Sequence, residues 1–600
     1  MNYNPTNPLI VQSDKTVLLE VENPLYEACR DSLAAFAELV KSPEYVHTYR
    51  ISPLSLWNAA ASGVTFEQVK ESLLTYSKYD VPQNVIDDVS SYMGRYGRLK
   101  LHKEHLPSGE SRLVLRADDP YLIIEITHSK QMAPFIAGQI DELSLEIPGH
   151  LRGHAKQALL KMGFPVEDLA GYVEGEHCDI ELRSIALSGN AFNMRDYQVQ
   201  SCDAFWAHGS ASGGSGVLVL PCGAGKTVIG IGAMSRAQTS TLILATGITA
   251  ARQWKSELLD KTTIPPDSIG EYSGDTKEIK PVTIATYQVM TYRKRKPTAK
   301  IEGQDLSAEA LAKVEDKTGR QDDGKTVGDA GLKFDEEFPH LQLFNARDWG
   351  LIIYDEVHLL PAPVFRITAE IQARRRLGLT ATLVREDGLE EDVFSLIGPK
   401  KYDVPWKVLE RQGWIAEAIC TEMRVPMDES QRLAYAIAEE REKFRIASEN
   451  LQKLRVVETL LDKHRDDNVL IIGQYLDQLA LIAQEFVAPI ITGKTPMMER
   501  EKLYTQFKSG EIKVLIVSKV ANFAIDLPDA NIAIQVSGTF GSRQEEAQRL
   551  GRILRPKSSG CQAHFYTIVT RDSKEQVFAA NRQLFLTEQG YRYEIVDMDA

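Results

Sequence analysis

The chain has 600 residues, 43% of them hydrophobic and 25% charged. That length is worth about four domains at roughly 150 residues each, and the composition excludes a wholly disordered chain, a coiled coil or a collagen-like fibre. Lys and Arg number 69 against 83 Asp and Glu, a net charge of −14, so bulk charge cannot coat nucleic acid and any such contact needs a local basic groove.

The six cysteines form no CxxC pair, which fits a reducing cytoplasm. No basic-then-apolar leader opens the sequence and no apolar run is long enough to cross a membrane, so the expectation is a cytoplasmic protein. Residues 57–99 carry helices with apolar i, i+3, i+4 spacing, broken at Val81-Pro82. Residues 113–127 read as a hairpin turning at Asp118-Asp119-Pro120, and a helix follows near 151–163. We expect an α+β accessory region here, divided into domains over 1–104 and 105–185.

From Gly216 onward, short β-branched runs alternate with helical patterns. The clearest runs are 216–220, 241–246, 282–287 and 350–356, then 468–473, 513–518 and 531–537. Continuous apolar runs of this length between amphipathic helices read as buried parallel strands, so the fold class is α/β with two parallel-sheet domains in tandem, 186–404 and 405–600. Residues 293–331 open basic, turn acidic and hold few large apolar side chains. Such a stretch cannot bury enough surface to offset its ordering entropy and is expected to be a mobile insertion.

Three clusters carry chemistry. LPCGAGKT (220–227) follows a strand and opens a helix. In such a P-loop the turn Gly223-Ala224-Gly225 wraps phosphate oxygens with backbone N–H groups, Lys226 reaches the outer phosphates of ATP, and the Thr227 hydroxyl holds Mg²⁺. The second cluster, Asp355-Glu356 with His358 two residues on, ends an apolar strand. Adjacent carboxylates there are costly unless they meet a cation or do chemistry. Asp355 is assigned to the metal, Glu356 to orienting and deprotonating the attacking water, and His358 to coupling. The third cluster places Gln548, Arg549, Arg552 and Arg555 on a helix-like stretch. It reads either as a solvated face or, given a P-loop one domain earlier, as a source of arginine fingers.

These clusters, in this order, resemble the superfamily-two helicases, and the detail resembles the XPB family. The matching stretches are RDYQ (195–198), RQWKSELL (252–259), DEVHLLPAPVFR (355–366), LGLTATLVRED (377–387), 518–537 and 541–555. The resemblance implies two RecA-like domains, ATP-driven 3′–5′ DNA unwinding of little sequence specificity, a role in excision repair, and a possible nuclease or repair partner. It also implies several roles: Gln198 at the adenine, Asp526 lining the nucleotide cleft, Thr380 and Thr382 coupling ATP to strand separation, and Arg385-Glu386-Asp387 in unwinding. Residues 428–455 take the place of the family's thumb, although their apolar spacing also suits a packed helical hairpin. A damage-recognition-like domain is implied for 105–185 and a winged-helix-like part before it. Candidate backbone contacts are Thr286, Arg252, Lys519 and Arg374-Arg375-Arg376, the last equally a set of cations favoured at a helix C-terminus. The absence of a long acidic extension suggests a prokaryotic member. Two rival functions share these residues in whole or part: a duplex DNA translocase without processive unwinding, and a non-motor ATP-binding scaffold.

Overall fold

The computed structural model describes residues 3–41, 45–107, 110–210, 213–221, 223–293, 338–371, 374–381, 390–403, 409–410, 412–414, 418–518, 530–538, 563–588 and 591–598. The predicted insertion at 293–331 therefore falls, except for Arg293, outside the described residues.

The first unit is a four-stranded antiparallel sheet, ordered Leu9–Val11, Thr16–Glu20, Val46–Arg50, Glu38–Lys41. Helices Pro53–Ala61, Phe66–Tyr76 and Gln83–Met93 pack on it. Ser52 and Thr65 start the first two through reciprocal capping, which satisfies backbone N–H groups that the first turn leaves open.

The second unit is a five-stranded sheet ordered Gly138–Asp141, Ser144–Ile147, Ser111–Ala117, Leu99–His105, Val166–Asp168. Two expectations change here. Strand Leu99–His105 runs through the expected boundary at 104/105, because it pairs along its whole length with Ser111–Ala117; the join lies in the turn at 94–97. The stretch around Asp118-Asp119-Pro120 is no hairpin. The Asp119 carboxylate accepts from the Tyr121 N–H at 2.9 Å with Pro120 at the first helical position, so helix Pro120–His128 begins there. The hairpin lies one strand earlier.

Two seven-stranded sheets follow, and every pairing in both is parallel. The first is ordered Ile269–Tyr272, Val282–Thr286, Thr241–Ala245, Leu351–Asp355, Arg375–Thr380, Ser215–Val219, Lys400–Asp403. The second is ordered Ile490–Ile491, Val514–Ser518, Val469–Gly473, Ile532–Gln535, Ala563–Thr570, Ala418–Val425, Arg592–Asp597. Their central strands are apolar on both faces because helices cover both; Leu351, Ile352, Ile353 and Tyr354 are all fully buried. Strands Ser215–Val219, Leu351–Asp355 and Arg375–Thr380 end at the same edge of the first sheet. In open parallel sheets, ligands lodge outside these carboxyl ends.

The accessory units dock on the first α/β domain. The Lys400 N–H donates to Asn58 Oδ1 at 3.1 Å, and Gln157 donates to Asp392 at 2.9 Å. Beside these contacts, Asp168 is gripped by Arg152 at 2.5 Å and Lys156 at 2.9 Å. Burial lowers Lys156 to about 8, while the two cations hold the buried Asp168 below its ordinary range.

In the region expected as a thumb, helix Glu429–Ile437 buries no side chain and leaves Leu433 and Ile437 exposed. Helix Glu440–Ser448 is anchored by Phe444, edge-on to Phe578 at 5.2 Å. The next helix, Gln452–Lys463, plants Lys453 on Glu575 at 2.8 Å, with both side chains almost wholly out of solvent. Lys453 also donates to the Val536 carbonyl, and Glu575 accepts the Thr570 N–H. Among the described residues, no helix is long and apolar enough to cross a membrane.

Removing one partner of a buried pair strands the other charge. Lys453→Met is expected to destabilise the second α/β domain by about 3–5 kcal/mol, read as a lowered melting transition. A double Lys453→Met/Glu575→Met variant should recover much of that loss.

Candidate functional site

The site is built on the carboxyl edge of the first parallel sheet. After strand Ser215–Val219 the chain turns through Gly223 and Gly225, with φ of 83° and 76°, into helix Lys226–Ala237. Positive φ suits glycine there, and at Gly225 a Cβ would also fall 2.7 Å from Gln198 Nε2. The backbone N–H groups of that helix start have no intrahelical acceptor, so the turn is an anion cradle. It is braced from beneath: the Ala224 carbonyl accepts from the Tyr197 hydroxyl at 2.7 Å and from Gln198 Nε2 at 3.2 Å. Gln198 Oε1 accepts the Arg195 N–H at 2.9 Å. The Gln198 amide, expected at adenine, thus braces the loop with its Nε2 and caps its own helix with its Oε1.

Two strands over, beyond Arg375–Thr380, Leu351–Asp355 delivers the acidic pair. Glu356 has φ 50° and ψ 57°, a left-handed conformation costing a non-glycine residue about 1–3 kcal/mol. From there its carboxylate lies 2.6 Å from Lys226 Nζ, each side chain 15% exposed. Burial alone would raise the Glu356 carboxyl. The Lys226 charge outweighs it, with His358, the Lys226 hydrogen bond and the Ala381 N–H adding, so Glu356 stays below its ordinary value. Asp355 goes the other way. Burial, and then the Glu356 charge beside it, push it up to about 6. Trp254 Nε1 donates to Asp355 Oδ2 at 2.9 Å, and the Tyr287 hydroxyl donates to the Asp355 carbonyl at 3.0 Å.

His358 is buried with Nδ1 2.6 Å from Thr380 Oγ1 and 3.5 Å from Glu356 Oε2. A short polar line therefore runs from Glu356 through His358 to Thr380 at the end of the neighbouring strand. Thr382, Arg385, Glu386, Asp387, Lys519, Asp526, Gln548, Arg549, Arg552 and Arg555 lie outside the described residues.

The donor set suits Mg²⁺: the Thr227 hydroxyl and the Asp355 carboxylate are hard oxygen ligands. Among the described residues no group of three or more His, Cys, Asp or Glu side chains gathers as a metal cage.

The candidate nucleic-acid contacts fare differently. Thr286 is 1% exposed and caps helix Tyr287–Met290 through the Val289 N–H, so it faces inward. Arg376 is fully buried, donating to the Leu396 carbonyl at 2.7 Å and to Ser215 Oγ at 3.1 Å. Arg374 pairs with Asp348 at 2.8 Å, and Arg375 stacks 4.9 Å from the Trp206 ring. The run is neither a phosphate track nor a helix terminus. It enters strand Arg375–Thr380 at the edge of the sheet opposite the site, about 15 Å away at 3.3 Å per residue. Arg252 remains half-exposed, 3.9 Å from Asp275.

Sequence reading missed Trp254, Tyr197, Tyr287 and the stacking of Arg195 on Trp414 at 4.1 Å, which reaches from the P-loop domain to the segment leading into the second. A tryptophan on the apolar face of helix Ile248–Lys261, between Ala251 and Leu258, was the available signal.

The chain is similar to known proteins along almost its whole length. A family model described as ERCC3/RAD25/XPB C-terminal helicase matches residues 409–600, and one described as type III restriction enzyme, res subunit, matches 191–385. A third, described as helicase conserved C-terminal domain, matches 9–141, where the described strands pair with one another antiparallel, so its description does not mark a parallel-sheet motor domain there. A Kineococcus radiotolerans protein named DNA 3′-5′ helicase XPB is 53% identical over 99% of this chain and 97% of its own length. A Mycobacterium tuberculosis protein of that name is 52% identical over 99% and 98%. The general transcription and DNA repair factor IIH helicase/translocase subunit XPB of Enterocytozoon bieneusi is 32% identical over 98% and 92%.

An acid whose value rises from 3.8 to about 6 on folding binds its proton more readily in the fold, so its charge destabilises the fold above pH 6 and not below pH 4. Asp355→Asn is therefore expected to stabilise the metal-free protein by about 1–3 kcal/mol at pH 8. The gain should shrink as pH falls toward 4, which thermal melts in EDTA would read.

Proposed function

The chain belongs to the XPB family of DNA 3′-5′ helicases, and from that premise we propose how its residues couple ATP to movement on DNA. It is an ATP-hydrolysing enzyme of two parallel-sheet α/β domains. The observation that carries the reading is the 2.6 Å contact between the P-loop lysine and the carboxylate after Asp355. Without nucleotide, Lys226 and Glu356 satisfy each other. A bound γ-phosphate would draw Lys226 to itself and release a carboxylate that is ionised at neutral pH and aimed at the same place. Glu356 would then orient the attacking water and take its proton.

Thr227 and Asp355 would hold Mg²⁺, which supplies neutralisation of charge on the outer phosphates when bound. Arg552 and Arg555 of the second α/β domain are proposed as the groups that neutralise transition-state charge from across the cleft. His358 would report the state of Glu356 to Thr380 and so to the segment holding Thr382 and Arg385-Glu386-Asp387. Domain closure on ATP and reopening after hydrolysis would give alternating grips on the DNA backbone. Phosphate contacts carry no base information, so little sequence preference is expected. Excision repair with a nuclease partner is the cellular setting this reading favours.

The deciding measurement is steady-state ATP hydrolysis without nucleic acid and with single-stranded DNA, duplex DNA or RNA. Stimulation by DNA and not RNA is expected. Equal rates under all four conditions would move the weight to a partner-gated scaffold, while a strand-displacement assay separates unwinding from translocation alone. Glu356→Gln should keep nucleotide affinity and lower kcat by about 10²–10⁴-fold, and Arg552→Ala should lower kcat by about 10³–10⁵-fold. An unchanged kcat in either variant would remove that residue from the mechanism.

A further inference from the structure

Trp254 lies on helix Ile248–Lys261, outside both the P-loop and the acidic strand end, and is 1% exposed. Its indole N–H, the ring's only hydrogen-bond donor, points at Asp355 Oδ2 from 2.9 Å. No other side chain hydrogen-bonds to that carboxylate among the described residues. Lys226 pairs instead with Glu356. The far edge of the same ring lies against Gly230, one turn into the helix that Lys226 begins. A Cβ on Gly230 would fall 2.4 Å from the ring, and Leu379 closes in beside it. One rigid side chain thus touches the P-loop helix with its hydrocarbon edge and the acidic strand end with its polar edge.

We infer that Trp254 is a positioning residue for the metal-binding half of the site, fixing the Asp355 carboxylate in register with the P-loop helix so that Asp355 and Thr227 present their oxygens together. The inference rests on the reading of Asp355 as a metal ligand. A carboxylate on an apolar strand end can rotate about two side-chain bonds. A charge-assisted hydrogen bond from a ring that cannot move removes that freedom before the ion arrives. Glycine at 230 belongs to the same device, since any side chain there would push the ring off the helix. A merely structural role predicts something different: the indole would then serve only to fill the space between helix and sheet, and its N–H would be incidental.

The test separates shape from hydrogen bond. Trp254→Phe keeps an aromatic ring against Gly230 and removes the donor. Replacing Trp254 with 3-benzothienylalanine keeps the indole outline with sulfur in place of N–H, which guards against a packing defect. Mn²⁺ binding would be titrated by electron paramagnetic resonance on the full chain with a non-hydrolysable ATP analogue, beside thermal melts in EDTA. Asp355→Asn is the reference.

The expected result is an Mn²⁺ dissociation constant raised about 10–100-fold in both Trp254 variants, with the benzothienyl variant melting within a few degrees of the parent. Wild-type Mn²⁺ affinity in the benzothienyl variant, with affinity lost in Asp355→Asn, would overturn the inference and leave Asp355 as the metal ligand. Unchanged affinity in Asp355→Asn as well would overturn that reading and the inference with it.

Discussion

Two adjacent carboxylates at the end of a wholly apolar strand are the constraint on which the site depends. Asp355 and Glu356 would repel each other and lose hydration, so the fold must surround them with compensating groups. It does so asymmetrically. Glu356 turns through a left-handed backbone onto Lys226 and stays ionised, whereas Asp355 takes the Trp254 indole as its side-chain donor among the described residues and rises to about 6. Two chemically similar groups acquire opposite shifts in acidity, one meeting a cation and the other a neutral donor.

The parallel sheet makes this asymmetry possible. Strand Leu351–Asp355 lies between Thr241–Ala245, whose continuation is the helix of Trp254, and Arg375–Thr380, whose end meets His358. Strand Ser215–Val219, on the far side of Arg375–Thr380, delivers Lys226. The pair thus draws Trp254 from the chain after one neighbouring strand and Lys226 from two strands away, while the other neighbour ends at His358 through Thr380. Away from the site, buried charges do another task. Arg152, Lys156 and Asp168 sit where the accessory unit meets the first α/β domain, and Lys453 with Glu575 joins the helix after the arm at 429–448 to the last helix. Such pairs need near-complete hydrogen bonding to offset desolvation, so they tolerate one relative placement of the joined elements and penalise others.

Several sequence readings failed for a shared reason. Arg374-Arg375-Arg376 looks like a basic patch, yet Arg376 finds the Leu396 carbonyl and Ser215 Oγ inside the domain, partners that its neighbours in sequence do not announce. Thr286 looks like an exposed hydroxyl after a strand, yet it caps a short helix facing inward. At Asp118-Asp119-Pro120 the same residues that turn a hairpin also cap a helix; strand Ser111–Ala117 already pairs with the strand before it, Leu99–His105, and the chain goes on into helix Pro120–His128.

What the amino-acid sequence determined by itself was local: the apolar parallel strands, the glycines at 223 and 225 that permit the phosphate turn, and the placing of Lys226 at a helix start and of Asp355 and Glu356 at a strand end. These follow from side-chain size, backbone freedom and period, which act over a few residues. Only the tertiary structure decided that Lys226 pairs with Glu356 rather than Asp355, that Trp254 holds Asp355, and that Gln198 braces the P-loop turn. Those contacts join residues far apart in the chain, and the order of strands in the sheet brings them together. Burial then fixes the charge of each group, because desolvation is set by what surrounds a side chain in space and not by what flanks it in sequence.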